Sequence, residues 1–242
     1  RLPLLVGASA TSELSTLLLV GSVRCVDEPA GRSSTAPGPD EEAATALVRQ
    51  LVARGVDVEA IYLDLLAPTA VQLGHLWDND ACDFLEVTVG LGRVQRVLRE
   101  LSAQYGAVRL SQAPGGQILL SGIPGEQHTL GLYMVAEFFV RDGWGVQVGA
   151  PATDEELLDL VRDVWFDVIG FSVACESKLL KVRREIATVR RHSQNPRLVV
   201  LVGGRVFAEN PELVARVGAD GHAASAADAP ACARDLIERR AR

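Results

Sequence analysis

The sequence predicts an α/β protein: an N-terminal helical bundle followed by a doubly wound parallel sheet of five strands. Two observations carry that reading. Across 84–101, apolar residues recur at steps of three and four, which paints one stripe along a helix. After the turn-rich QAPGG at 112–116, short β-branched runs alternate with helical stretches to the end of the chain, as a parallel sheet covered on both faces requires.

Taken in order, residues 1–40 read as an N-terminal segment and linker. Glu13 interrupts the apolar stretch Leu2–Val23, and Ser and Thr recur through it, so it makes a poor membrane span. It also lacks the clean small-residue cleavage site of a secretory signal. The run DEPAGRSSTAPGPDE at 27–41 is too polar and too rich in Pro and Gly to bury itself. A helical domain is expected over 41–112, with helices at 41–54 and 57–76 and the striped helix CDFLEVTVGLGRVQRVLREL, in a bundle of about four. Pro68 must open a new helix or kink one, because it has no N–H to give the preceding turn. In the striped helix, Phe84, Val87, Leu91, Val94, Leu98 and Leu101 form the apolar face, and Arg93, Arg96, Arg99 and Glu100 lie largely opposite.

The sheet domain is expected over 113–242. Its strands are QILLSG, GVQVG, FDVIGFSV, RLVVLVGG and the short ADGHA, with helices at 130–142, 153–163, 177–191, 207–216 and 226–240. In such a sheet, ligands bind at the carboxyl ends of the strands near the point where strand order reverses.

Composition narrows the function. Hydrophobic residues make up 48% and charged residues 23% of the chain, which is ordinary for a globular protein. A net charge of −7 argues against a surface built to neutralise nucleic-acid phosphates, so no direct DNA binding is expected. Cys25, Cys82, Cys175 and Cys232 are scattered, which fits reduced thiols and a cytoplasmic location.

The exit of the first strand reads GIPGEQHTLG from Gly122 to Gly131. It is neither a Gly-x-Gly-x-x-Gly loop nor a P-loop. It offers His128, with Glu126 two residues before it and Gly131 three after. A carboxylate beside a metal-bound imidazole accepts its second N–H and fixes its tautomer. The third strand leaves through Ser172 and the fourth through Gly203 and Gly204, where small residues would leave a slot beside the sheet.

Glu126-x-His128-x-x-Gly131, then Ser172, then Gly203-Gly204, resembles the cobalamin-binding domain pattern Asp-x-His-x-x-Gly…Ser…Gly-Gly, over residues 116–240. The resemblance implies a Rossmann- or flavodoxin-like fold, with His128 as the lower cobalt ligand in place of the cofactor's own dimethylbenzimidazole. It also implies that the displaced nucleotide tail lies in the slot lined by Ser172, Gly203 and Gly204. The VGADG stretch before the last helix is similar to that family's last strand. The helical domain resembles the cap over cobalamin in methionine synthases and cobalamin photoreceptors, with Trp77 as the lid. The Glu-His pair of that cap is absent, and Val87-Thr88 stand in its place. With Asp80, Phe84 and Arg93-Val-Gln95, this resembles the variant in the PpaA/AerR-type photosynthesis antirepressors and the AppA C-terminal domain.

That resemblance implies a light- or redox-responsive cobalamin protein acting on a PpsR/CrtJ-type repressor, and since no substrate-processing residues are visible in the sequence, no enzymatic activity is expected. The alternatives are a corrinoid methyl-carrier subunit, a heme sensor on the same fold, and a fold relic that acts only as an interaction domain. The Glu126-for-Asp replacement puts the carboxylate one methylene further out. His75, His192 and His222 read as ordinary side chains, with His192 in the basic last turn of a helix. Cys175 and Glu176 have no activating neighbour in sequence.

Overall fold

A computed structural model describes residues 39–105, 115–124, 130–149, 151–173 and 175–241. The chain divides into two compact units, Arg1–Tyr105 and Gly106–Arg242.

In the first unit, α1 is Pro39–Ala53. It starts two residues earlier than the composition of the linker suggested, because Pro is pre-organised for the first helical position. The next helix, α2, runs through Val58–Ala60, a π-helical stretch Ile61–Leu66, and Ala67–Asp78 without a break. Pro68 stands in the first turn of the last of these stretches, directly after the π turn, and does not interrupt the chain of helix. The wider π turn just before it relieves the clash of a proline ring with the preceding turn, and Ala67 N–H reaches back to Tyr62 O.

Helix α3, Phe84–Tyr105, begins with a reciprocal cap. Glu86 N–H donates to Asp83 Oδ1 and Asp83 N–H to Glu86 Oε2, each at 2.8 Å. Val94, Leu98 and Leu101 are buried as the stripe predicts, along with Ile61, Tyr62, Leu65 and Leu73 of α2. Phe84 and Arg93 differ most from the pattern. Phe84 is 73% exposed, since it stands in the first turn and meets Trp77 edge to face at 6.2 Å. Arg93 is buried, which shows that the core-facing arc is wider than the apolar stripe.

The second unit holds β1 (Gln117–Gly122), α4 (Leu130–Arg141), β2 (Gly145–Gly149), α5 (Asp154–Asp163) and β3 (Val168–Ser172). A 3-10 turn, Glu176–Lys178, leads into α6 (Leu179–His192), followed by β4 (Val199–Gly203), α7 (Arg205–Glu209), α8 (Leu213–Val217), β5 (Gly221–His222) and α9 (Ala229–Ala241). The single helix expected over 207–216 is two helices. Pro211 cannot supply the N–H that would carry α7 into α8.

All five strands are parallel, in the order β2-β1-β3-β4-β5. One face packs Leu119, Ile169, Phe171, Val200 and Val202 against α5, α6, α7 and α8. The other packs Ile118, Leu120, Val168, Val199 and Leu201 against α4 and α9. The sheet is thus covered on both sides, and the strand order reverses between β1 and β3.

The VGADG stretch has a structural purpose in each part. Gly218, at φ +83°, closes α8 with its N–H on Ala215 and Val214 carbonyls. Asp220 accepts Val200 N–H at 2.6 Å and clasps Arg190 and Arg240. Among the described residues, no helix is long and apolar enough to cross a membrane.

Candidate functional site

Parallel register brings three chain exits side by side at the carboxyl edge of the sheet. Gly122 pairs with Ser172, and Ser172 with Gly203. These positions share a face with Leu120, Gly170 and Leu201, because side chains alternate along a strand. On that face, between the sheet, α4 and the start of α9, lies a cavity of about 280 Å³.

Four of the residues singled out in the sequence line it: Gly131, Ser172, Gly203 and Gly204. Each contributes differently. At Gly131 and Gly203, a Cβ would meet nothing within 4 Å, so a side chain there would project into open space. Gly203 keeps the cavity open. At Gly204, φ is +103° and a Cβ would run into the carbonyl oxygen of Val173. Here glycine is required by the backbone, and the sharp exit it makes starts α7.

Ser172 presents a hydroxyl with no hydrogen-bond partner among the described residues. Ser225, the other hydroxyl in the lining, is spent on Asp228 at 2.8 Å at the start of α9. The cavity is otherwise walled by alkyl and phenyl groups such as Leu120, Leu132, Val135 and Phe139. It suits a flat, mainly apolar group with a few polar atoms at its rim.

The sequence reading missed the far wall, Ala223–Ala226 with Ala229. A signal was present: the run AASAA after His222 places only small residues at the exit of β5. It also missed Gly170, in the cavity floor, where a Cβ would press on Leu120 at 2.8 Å.

His128 and Glu126 lie outside the described residues. The chain on either side of them is fixed. Before them, Ile123 and Pro124 are buried, and Lys181 Nζ donates to Pro124 O at 2.8 Å. After them, α4 starts at Leu130 beside the cavity. Trp77 stands in the last turn of α2, 46% exposed.

Several of the other histidines and thiols have local contacts away from the cavity. His192 Nδ1 lies 2.9 Å from Thr188 O, and His222 O accepts from Cys232 Sγ at 3.5 Å. Burial, reinforced by Asp235, pushes the Cys232 thiol up and keeps it unreactive. Cys175 is exposed, with Sγ 3.2 Å from Ser177 Oγ and no base beside it among the described residues.

Residues 116–231 match the B12 binding domain, and residues 39–101 match a second B12 binding domain model. The chain is also 30% identical over 165 residues to an uncharacterized 20.5 kDa protein in the bchF-crtJ intergenic region of Rhodobacter capsulatus. That match spans 68% of this chain and 85% of the relative. The chain belongs to this B12-binding family.

Its fold is similar to that of the Methanosarcina barkeri monomethylamine corrinoid protein, with a TM-score of 0.70 at 13% identity. The likeness covers 93% of this chain and 96% of the other. In the B12-binding domain of this chain, the cavity at the exits of β3 and β4 fits the cofactor that the family implies. Its small-residue lining leaves room for a flat group at the place where a Cβ on Gly203 would otherwise stand.

Proposed function

We propose that this chain binds cobalamin and acts as a light- or redox-responsive antirepressor through a PpsR/CrtJ-type transcription factor, without itself catalysing a reaction. The observation that carries the cofactor half is the convergence of Gly131, Ser172, Gly203 and Gly204 on one cavity at the carboxyl edge of the sheet. In this reading, the cavity takes the nucleotide tail and Ser172 supplies a hydroxyl at its edge. His128 is offered to the cobalt from below, with Glu126 as the carboxylate that orients it. Bound cobalamin would supply cobalt chemistry that responds to light or redox state.

The regulatory half rests on different support. Val87-Thr88 stand where the resembled cap of methionine synthases and cobalamin photoreceptors carries a Glu-His pair, as in the PpaA/AerR-type variant, and the relative is named for the bchF-crtJ intergenic region. A net charge of −7 favours a protein partner over direct DNA contact, in a cytoplasmic setting. Signal would pass as a shift in the population of a partner-binding state.

The test adds hydroxocobalamin and, separately, hemin to the apo-protein and records absorbance spectra. The loaded protein is then mixed, in dark and light, with a PpsR/CrtJ-type repressor on its operator. Cobalamin uptake and light-dependent loss of repressor binding support the proposal. Uptake of hemin alone would favour a heme sensor, and methylation of the bound cofactor by a companion methyltransferase would favour a methyl carrier.

A further inference from the structure

On the face of the sheet away from the cavity, α6 carries a cation that reaches the root of the loop after β1. Lys181 Nζ donates to Pro124 O at 2.8 Å and lies 3.5 Å from Asp154 Oδ1 at the start of α5. One turn further along α6, Glu185 is 4% exposed and shares a hydrogen bond with the same Asp154. Burial, followed by the charge of Asp154, raises the pKa of Glu185. Asp154 is thereby tied to α6 at two points, and the ammonium is held between a carboxylate and a carbonyl.

The carbonyl it holds is not an arbitrary one. Ile123, the residue before Pro124, is 1% exposed and belongs to the core beneath α5 and α6. Pro124 has a fixed φ and no N–H, so its carbonyl is the handle by which a neighbour can orient the peptide that leaves it. A charge-assisted hydrogen bond on that handle is among the stronger ones available. His128 follows four residues later.

We propose that Lys181 is a positioning residue for cobalamin binding: by gripping Pro124 it sets the direction in which the chain leaves β1 toward His128. The inference rests on the cobalt-ligand reading of His128. Its expected effect follows from population arithmetic. A ligand loop that is competent for only part of the time weakens the apparent affinity by that fraction.

The test titrates the apo-protein with hydroxocobalamin and follows the absorbance change that accompanies imidazole ligation. Wild type, Lys181→Met, Lys181→Arg and His128→Ala are compared, with a thermal unfolding curve for each. Lys181→Met is expected to bind roughly tenfold more weakly and to show less of the ligated spectrum at equal loading. Lys181→Arg, which keeps a charged donor, is expected to restore both. His128→Ala is expected to lose the ligated spectrum.

Wild-type affinity and spectrum in Lys181→Met, with the spectrum lost in His128→Ala, would overturn the role of Lys181 and leave the cobalt-ligand reading standing. A wild-type spectrum in His128→Ala overturns both. A lowered unfolding temperature in Lys181→Met, with affinity and spectrum unchanged, shows a purely structural lysine and also overturns the proposal. If Lys181→Met does not unfold cooperatively, Lys181→Gln takes its place in the same comparison.

Discussion

Ser172 and Gly203 face each other across adjacent parallel strands, in register, and both open onto the same cavity. One supplies a hydroxyl and the other supplies space. Replacing Ser172 with Ala leaves packing nearly intact, so stability should change by no more than about 0.5 kcal/mol. Cobalamin affinity should fall by about 1 kcal/mol, or roughly fivefold, for one lost hydrogen bond. Equilibrium dialysis of the two proteins with hydroxocobalamin measures it.

Gly204 should behave in the opposite way. With φ at +103° and the Val173 carbonyl against its Cβ position, Gly204→Ala should cost about 1–3 kcal/mol of folding stability. Urea unfolding of the apo-protein shows the loss directly.

Asp220 is the clasp at the other end of the sheet. Its carboxylate holds Arg190 at 2.7 Å and Arg240 and Val200 N–H at 2.6 Å each, with only 17% of the side chain exposed. Asp220→Ala removes the acceptor of the Val200 N–H and the counter-charge of two guanidinium groups, which keep only the carbonyls of Leu198 and Gly218. The expected loss is about 3 kcal/mol, read from the same urea titration.

Glu185 gives the protein a pH dependence of known sign. Its pKa is raised in the folded protein from an ordinary value of 4.5. In the window between these two values, the folded chain binds a proton that the unfolded chain has released. Stability therefore falls as pH rises through that window, and the loss is complete above the raised value. Glu185→Gln keeps a donor toward Asp154 without the titration. Its urea midpoint should be the flatter of the two as pH rises from about 4.5, and above that of wild type once the wild-type carboxyl has ionised.

Much of this was legible in the sequence, where a local pattern carried the information. Strand-length runs ending in Ser172 and Gly203-Gly204 gave both the sheet and its functional edge, because strand exits gather wherever the strands are parallel. Phe84 and Arg93 were misplaced because periodicity locates the middle of a buried arc better than its ends. The π turn before Pro68 depends on how a helix repairs a missing N–H, which the residue types do not specify. The bond from Lys181 to Pro124 spans 57 residues, and only the fold reveals such a contact. The alanine wall after β5 was visible as composition, but nothing in the sequence said that it faces Ser172.

The central claim is that the cavity beside Ser172 and Gly203 receives part of cobalamin. A Cβ at Gly203 meets nothing within 4 Å, so the side chain of Gly203→Leu starts into the open space of the cavity. Hydroxocobalamin binding is measured by equilibrium dialysis for wild type and Gly203→Leu, after confirming equal thermal midpoints. The account predicts saturable binding to wild type and an affinity at least about tenfold lower in the variant, a difference of about 1.4 kcal/mol. Equal affinity in the two proteins, or no binding to wild type, would contradict it.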